Sequence, residues 1–260
     1  MATGRTLERF SRVYIDGYDL SGYIRKLGDL KWEFANQPDA ALTDPVKNVV
    51  GVGAASISIG TLNGFFDNTA TSGLHVIAQG AGVKRIVMIP KGIRAAPALG
   101  DPVFCGEFHQ SDYKAQADNN SVVASIGFGD ADSGAATLNY VVPWGVLLHP
   151  LGAETAASTA TGVDGGAATT KGGYMMFQIF AVAGTGNVTI SVQDADTNSN
   201  GSFAALSPAL SSGAIAHTAV PCAGVVAIAN TATVKQYTRF QIAFSGITSC
   251  TFALALVRGQ

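Results

Sequence analysis

Near its start the chain reads Arg12-Val-Tyr-Ile-Asp-Gly-Tyr-Asp-Leu-Ser-Gly-Tyr-Ile-Arg-Lys26, and this stretch has two interpretations. Its tyrosines and carboxylates lie close together, as they do in a ligand pocket. It also has the pattern of a strand, a turn and a second short strand, because Asp-Gly is a preferred dipeptide in tight hairpin turns. The second interpretation makes Asp16-Gly17 the turn and places Val13 and Ile15 in the core of a first strand.

The last third of the chain shows strands most clearly. Val188, Ile190 and Val192 alternate with polar residues, and two further apolar trios, 240/242/244 and 252/254/256, alternate in the same way. Period-two alternation places each trio on one face of a strand. The turn signals between them are 184–187, 194–201 and 245–246. Short strands separated by turns in this way predict an antiparallel β-sandwich.

The first half is also predicted to be mostly β, with one helix. The strand candidates are residues 13–15, 31–34, 55–59, 85–89, 103–108 and 122–128. The helix is predicted from about Asp67 to Gln79, with Asp67 or Asn68 as its N-cap and Gly80 or Gly82 at its end.

A composition change divides the chain. Residues 151–170 are small and polar without periodicity, which is typical of a linker or a long loop. We therefore expect a β domain over 1–150, a linker or long loop over 151–172, and a second β domain over 173–260.

The bulk composition bears on the class of partner. The 260 residues carry a net charge of −2 and only 13% charged residues, so no basic field is present to hold nucleic acid. A surface this poor in charge favours association with other subunits. The polar N-terminus and the apolar runs, all far shorter than the ~20 residues that span a bilayer, predict a soluble chain without membrane contact, made in a cytoplasm-like compartment.

No motif supports catalysis, a cofactor or a metal. Gly51-Val-Gly53 begins like a dinucleotide fingerprint but is followed by a strand pattern instead of a helix. Residues 196–201 match the start of a calcium loop, yet Ser207 stands where the bidentate Glu is required, so a hairpin turn is predicted there. Cys105, Cys222 and Cys250 form no Cys-x-x-Cys pair and are expected to be buried free thiols. We expect no enzyme activity, no catalytic, cofactor-binding or metal residues, and no cofactor.

Several short patterns resemble phage tail tube (major tail) proteins of siphophages. The opening strand, its x-Gly-x-Asp-Leu-Ser turn and the following Leu30-Lys-Trp-Glu-Phe34 resemble the start of that family. Further likeness lies at residues 64–67, 85–92, 100–104, 121–128, 236–246 and 251–258. The resemblance implies a tail-tube-like β-sandwich or barrel with one flanking α-helix, followed by a C-terminal antiparallel β-sandwich that is a decoration domain or a second tube-like domain.

The resemblance also implies a function and partners. In that family, stacked rings form a hollow conduit through which phage DNA passes without sequence-specific contact. The expected partners are therefore further copies of the chain (a hexameric ring favoured, a trimeric ring as the alternative) and other tail proteins. The expected location is the virion tail, assembled in the cytoplasm of the bacterial host.

By the same analogy, the connection from Ala35 to Ala54 is a loop that reaches the neighbouring ring; the alternative is a surface loop folded onto its own domain. Its two prolines argue against a core strand. The residues predicted to contact a neighbouring subunit or ring are Trp32, Phe34, Pro38, Asp39, Leu42, Asp44, Pro45, Val46, Lys47 and Val49.

A second function stays open beside the first. A capsid decoration protein or a surface carbohydrate-binding β-sandwich protein is the alternative, with Tyr14, Tyr18 and Tyr23 as candidate stacking residues. That alternative predicts exposed aromatic rings and a stable monomer, whereas the tube predicts high-order association.

Overall fold

A computed structural model describes residues 7–39, 48–80, 82–93, 95–118, 121–131, 142–159 and 161–259. In chain order, the strands are β1 (Tyr14–Ile15), β2 (Tyr18–Asp19), β3 (Ile24–Lys26), β4 (Leu30–Asp39), β5 (Asn48–Ile59), β6 (Leu62–Phe65), β7 (Lys84–Pro90), β8 (Pro102–Asp118), β9 (Ser121–Ala131), β10 (Trp144–Glu154), β11 (Ser158–Thr159), β12 (Val163–Asp164), β13 (Gly173–Ala195), β14 (Ala204–Ser211), β15 (Ile215–Ala216), β16 (Cys222–Ile228) and β17 (Tyr237–Arg258). The helix α1 spans Leu74–Ala78, and 3-10 turns lie at Glu8–Phe10, Asn200–Ser202 and His217–Ala219.

One large curled antiparallel sheet runs through both halves of the chain, which confirms the predicted mainly β class. Its main path is β14-β13-β17-β10-β8-β7-β1-β2. The first half joins the second where β10 pairs with β8, with Trp144 opposite Phe104. The strands β4 and β5 form a separate two-stranded sheet.

The C-terminal sandwich is made from one pair of long strands folded over. β13 and β17 pair along almost their whole lengths, from Gly173 opposite Arg258 to Ala195 opposite Tyr237. Phe240 and Phe252 both lie on β17, and a straight strand would hold them about 40 Å apart. Their rings are nevertheless 5.6 Å apart. The ribbon therefore bends back on itself, and its two arms form the two layers of the sandwich.

Glycine bulges make the bend. The predicted turns at 184–187 and 245–246 are wrong, because these residues lie inside the strands and interrupt the pairing register. Gly184 and Gly246 have φ of 92° and 80°, a left-handed backbone that side chains other than glycine rarely adopt. β13 carries one extra residue across the bend, so odd-numbered residues such as Met175 and even-numbered residues such as Ile190 face the same core.

Within the described residues, the buried apolar side chains form three clusters. The first-half cluster includes Leu20, Phe104 and Phe108, and the second-half cluster includes Phe177 and Phe252. A third cluster, the shared cluster, contains residues from both halves of the chain. Its buried members are Tyr14, Met88, Val103, Cys105, Val142, Leu147, Tyr174, Met176, Ala253, Ala255 and Val257. The two halves are thus packed together through side chains as well as through the shared sheet.

The helix is much shorter than the sequence pattern predicts. Asp67 does not cap it: the carboxylate of Asp67 accepts a hydrogen bond of 2.6 Å from the backbone N–H of Thr69, a local turn that competes with a helix start. Thr71 then adopts a φ of 69°, outside the helical region. The helix begins only after its N-cap, Gly73.

The predicted linker contains strand residues. β10 continues through Leu151 to Glu154, and the short strands β11 and β12 pair with β17. The division of the chain into domains at 151–172 stays a prediction.

Candidate assembly arm and the polar network beneath it

The strands β4 (Leu30–Asp39) and β5 (Asn48–Ile59) pair with each other and form a hairpin arm. The pairing starts at Leu30 opposite Ile59 and reaches Asp39 opposite Asn48, with one register shift after Phe34. A strand of ten residues spans about 33 Å. Pro38 fits this position because each strand of a two-stranded sheet has a free edge, where a missing N–H costs little. The pairing is therefore longer than the two short strands predicted from sequence.

The base of the arm is fixed to the first-half core. Ile57 and Ile59 are 2% and 1% exposed, and they belong to the cluster around Phe104. Leu30 pairs directly with Ile59 and packs against the same cluster. Buried anchors on β5 give the arm a defined starting position.

The predicted contact residues fall into three groups. Trp32 is half-buried and packs against the first-half and shared clusters, so it belongs to the base of the arm. Phe34, Pro38, Asp39 and Val49 lie on the paired strands of the arm, with their side chains outside the described part. Leu42, Asp44, Pro45, Val46 and Lys47 lie outside the described residues. A contact role for all of them stays a prediction.

The opening stretch folds as the turn interpretation predicts. Asp16 and Gly17 have φ of 51° and 85°, the signature of a tight hairpin turn, and Ile15 pairs with Tyr18 across it. The backbone N–H of Gly17 donates a 2.6 Å hydrogen bond to the side-chain oxygen of Gln178. Gln178 is fully buried on β13, so the first turn of the chain is bound to the second half.

Arg85 connects this turn to the end of the helix. Its guanidinium lies 2.9 Å from the carboxylate of Asp16, and it donates a 2.8 Å hydrogen bond to the carbonyl of Ile77 in the last turn of α1. It also donates to the side chain of Gln110, whose amide donates to the carbonyl of Ala78. The free carbonyls at the helix end thereby gain partners.

Sequence patterns did not reveal this network. Gln110 and Gln178 are buried polar residues on strands, and their partners lie far away in the chain. For Gln178 the available signal is a glutamine inside an otherwise apolar run, since a buried amide needs hydrogen-bond partners. Gln110 lies between His109 and Ser111 and carries no such signal.

The three tyrosines do not form an exposed platform. Tyr14 is 2% exposed, and its ring meets that of Phe180 edge to face at 5.1 Å. Burial raises the pKa of Tyr14 far above its ordinary value. Tyr18 and Tyr23 are half-buried against the first-half core. Tyr14 is therefore a core residue and cannot serve as an exposed stacking residue.

The three cysteines are free thiols held in apolar surroundings. Cys105, Cys222 and Cys250 are free; Cys105 and Cys250 are buried, as predicted, and Cys222 is half-buried. Burial raises the pKa of Cys105 and that of Cys250 to about 12. Within the described ranges, no three His, Cys, Asp or Glu side chains are grouped so that they could hold a metal ion. No helix among the described residues has the length and apolar character needed to cross a membrane.

Comparison with known proteins finds no matching protein-family model and no matching curated protein. Among solved structures, the chain is similar to the SPP1 Dit (gp 19.1) protein, described as a paradigm of the hub adsorption apparatus in Gram-positive infecting phages. The two chains are 12% identical with a TM-score of 0.34, and the likeness covers 95% of this chain and 99% of the other. Neither the sequence identity nor the TM-score is high enough to assign that protein's function to this chain.

Proposed function

We propose that this chain is a non-enzymatic structural subunit that associates with further copies of itself through the hairpin arm. The observation that carries the proposal is the arm's pairing. From Asn36 opposite Gly51 to Asp39 opposite Asn48, the two strands pair with each other and with no third strand among the described residues. An isolated two-stranded hairpin is marginally stable in water, so a partner surface would stabilise this part of the arm.

The wider composition supports association. Only 13% of the residues are charged, and the exposed apolar side chains include Phe65 at 48% and Ile93 at 42%. Surfaces of this kind favour contact between subunits. The net charge of −2 is unsuited to tight binding of a nucleic-acid backbone.

The finer form of the proposal is a phage tail tube. It rests on the resemblance of residues 13–34 and the later stretches to tail tube proteins. Copies of the chain form a ring, with six subunits favoured and three as the alternative. Stacked rings enclose a channel that DNA crosses in transit, and other tail proteins complete the virion tail after assembly in the host cytoplasm. The arm contacts the neighbouring ring.

Negative-stain electron microscopy of the purified full chain, combined with light scattering, tests the proposal. We expect rings with a central hole, stacking into tubes as the protein concentration rises. A chain that stays monomeric at high concentration would contradict the proposal.

A shortened arm tests the role of the hairpin. Residues 35–54 are replaced by Asn-Gly, which leaves the pairs from Leu30–Ile59 to Phe34–Ala55 in place and closes them with a preferred tight turn. We expect a folded monomer or single rings without stacking. Far-UV circular dichroism and thermal unfolding are the controls for folding. Normal stacking by the folded variant would remove the arm from the assembly mechanism.

A further inference from the structure

Arg239 is a buried cation in the second half of the chain. The residue is 7% exposed and lies on β17 opposite Gln193 of β13. Its Nε donates a 2.8 Å hydrogen bond to the side-chain oxygen of Gln193, and its Nη1 donates one of 2.5 Å to the side-chain oxygen of Asn200. The guanidinium lies over the ring of Phe203, 4.3 Å from the ring centre.

None of these partners carries a negative charge. The ion pairs of the described residues do not include Arg239. Its Nη2 has no hydrogen-bond acceptor within the described part of the chain. Removing an arginine from water is costly unless a counter-charge and further hydrogen bonds compensate. This guanidinium is therefore held in position with its charge still available to an anion.

The free side of Arg239 borders a cavity of about 330 Å³, close to the lower limit for small-ligand sites. Hydroxyl and carboxamide groups line most of the remaining wall. Besides Arg239, the lining residues are Thr159, Thr161, Gly162, Asn198, Asn200 and Phe203. A wall of neutral hydrogen-bonding groups around one cation suits a small polar ligand that bears a single negative group.

The loop that closes the cavity is the one whose sequence begins like a calcium site. Its geometry argues against a metal cation, because the side-chain oxygen of Asn200 already accepts a hydrogen bond from the Arg239 guanidinium. The carboxylate of Asp196 is 2.8 Å from the ammonium of Lys235. The loop also packs closely on Gly162, where a Cβ atom would lie 2.4 Å from the ring of Phe203. The loop thus forms a wall of the Arg239 cavity.

We propose that this cavity binds an acidic sugar, with Arg239 pairing with its carboxylate or phosphate group. The Nη2 of Arg239 keeps N–H donors that no acceptor among the described residues uses, and charged guanidinium N–H groups bind the oxygens of an oxyanion well. The threonine hydroxyls and asparagine amides supply partners for sugar hydroxyl groups, and the volume suits one sugar ring. This binding is separate from the proposed assembly, since no residue of the hairpin arm takes part.

Titration of the full chain with four probes, followed by NMR or calorimetry, tests the inference. Glucuronate and glucose 6-phosphate are the two acidic sugars, glucose is the neutral sugar, and acetate is the carboxylate without a sugar. We expect one acidic sugar to bind at least about tenfold more tightly than glucose and acetate, a difference typical of one charge-assisted contact. The acidic sugar that binds more tightly shows whether the site prefers a carboxylate or a phosphate group. Equal binding of acetate and glucuronate would overturn the sugar assignment, and no binding of any probe would overturn the site.

Variants locate the binding. Arg239→Gln replaces the guanidinium by a shorter, uncharged polar side chain and should weaken binding of the acidic sugar about tenfold or more. If this variant fails to fold, Thr159→Val with Thr161→Val is used, because valine keeps the shape of threonine and removes only the hydroxyl groups. Lys114→Gln removes an exposed cation from the other half and is the matched control. Equal affinity of the wild-type chain and a folded Arg239 or double-threonine variant would overturn the proposal.

Discussion

Arg85 and Asp16 form a 2.9 Å ion pair that links the first turn of the chain to strand β7. The backbone N–H of Ile86 donates a second hydrogen bond, also of 2.9 Å, to the same carboxylate. The side chains of Arg85 and Asp16 are 16% and 29% exposed, so water screens this ion pair only partly. The two contacts hold the turn at Asp16 against the sheet, where Gly17 can reach the second half.

Asp16→Asn tests this ion pair. Asparagine tolerates the left-handed backbone of the turn, so the substitution removes the charge and leaves the turn shape. We expect a loss of about 1–2 kcal/mol in the free energy of unfolding, because the Arg85 guanidinium loses its charged partner. Urea unfolding measures it. Asp112→Asn, in the exposed pair with Lys114, is the control and should change stability by less than about 0.5 kcal/mol.

Gly17→Ala should lower the free energy of unfolding much more than Gly22→Ala, a substitution five residues away. A Cβ atom at Gly17 would lie 2.5 Å from the backbone nitrogen of Cys222 and 2.8 Å from the carbonyl of Ile179. Neither backbone can move without breaking the β13–β16 pairing. We expect a loss of about 3 kcal/mol or more, or no soluble protein. A Cβ atom added at Gly22 would have no other atom within 4 Å, so Gly22→Ala should leave the denaturation midpoint almost unchanged.

Tyr174→Phe tests the contact between the two halves. The Tyr174 hydroxyl lies 2.6 Å from the carbonyl of Val142 and 3.1 Å from that of Cys105, both in the shared cluster. Removing the hydroxyl leaves these buried acceptors without that donor, which costs about 1–2 kcal/mol. Thermal and urea unfolding measure the change. Tyr18→Phe is the matched control, and a similar loss in both variants would contradict the assignment.

His149 should make stability fall at acidic pH. It stacks on Phe252 at 4.0 Å inside the second-half core. Burial lowers the pKa of His149, while its hydrogen bond to Glu154 opposes the shift. Because the folded pKa is below the unfolded value, the unfolded state binds the proton first. Stability is therefore full above the unfolded pKa of about 6.5 and decreases as the pH falls from there toward the folded pKa.

The His149→Gln variant isolates this titration. The difference in unfolding free energy between wild type and variant, measured by urea unfolding from pH 7.5 to 5, should shrink as the pH falls. His109→Gln, at an exposed position, is the control and should run parallel to wild type. A pH-independent difference between wild type and His149→Gln would disprove the proposed coupling.

Local alternation predicted the strands well. The trio of Val188, Ile190 and Val192 is buried on β13, and residues 252, 254 and 256 are buried on β17. The glycines at 184–187 and 245–246 predict turns but form bulges, because glycine permits both a reversal and a bulge. Only the partner strand distinguishes the two, and it lies about 60 residues away.

Long-range features were beyond the sequence pattern. The hairpin arm is longer than the sequence pattern predicts, because Pro38 argues against a central strand but is compatible with a two-stranded sheet, in which each strand has a free edge. No sequence pattern marks Arg239 as a binding residue. Its neighbours in sequence, Thr238 and Phe240, read as ordinary strand residues, and the cavity forms only when the loop around Asn200 closes on β17.

The folded ribbon of β13 and β17 has a consequence for how this half reaches its native state. Its innermost pair, Ala195 and Tyr237, closes a connection of 41 residues (196–236), whereas the outermost pair, Gly173 and Arg258, is separated by 85 positions. The innermost pair closes the shorter loop and so has the lower loop-closure cost, and each later pair adds only a small loop to a ribbon that is already closed. We therefore expect pairing to begin near Ala195 and to propagate outward, and the contact of Phe240 with Phe252 then forms late, when the ribbon bends at its glycines. The search for the second layer is short, because that layer is already attached to the first.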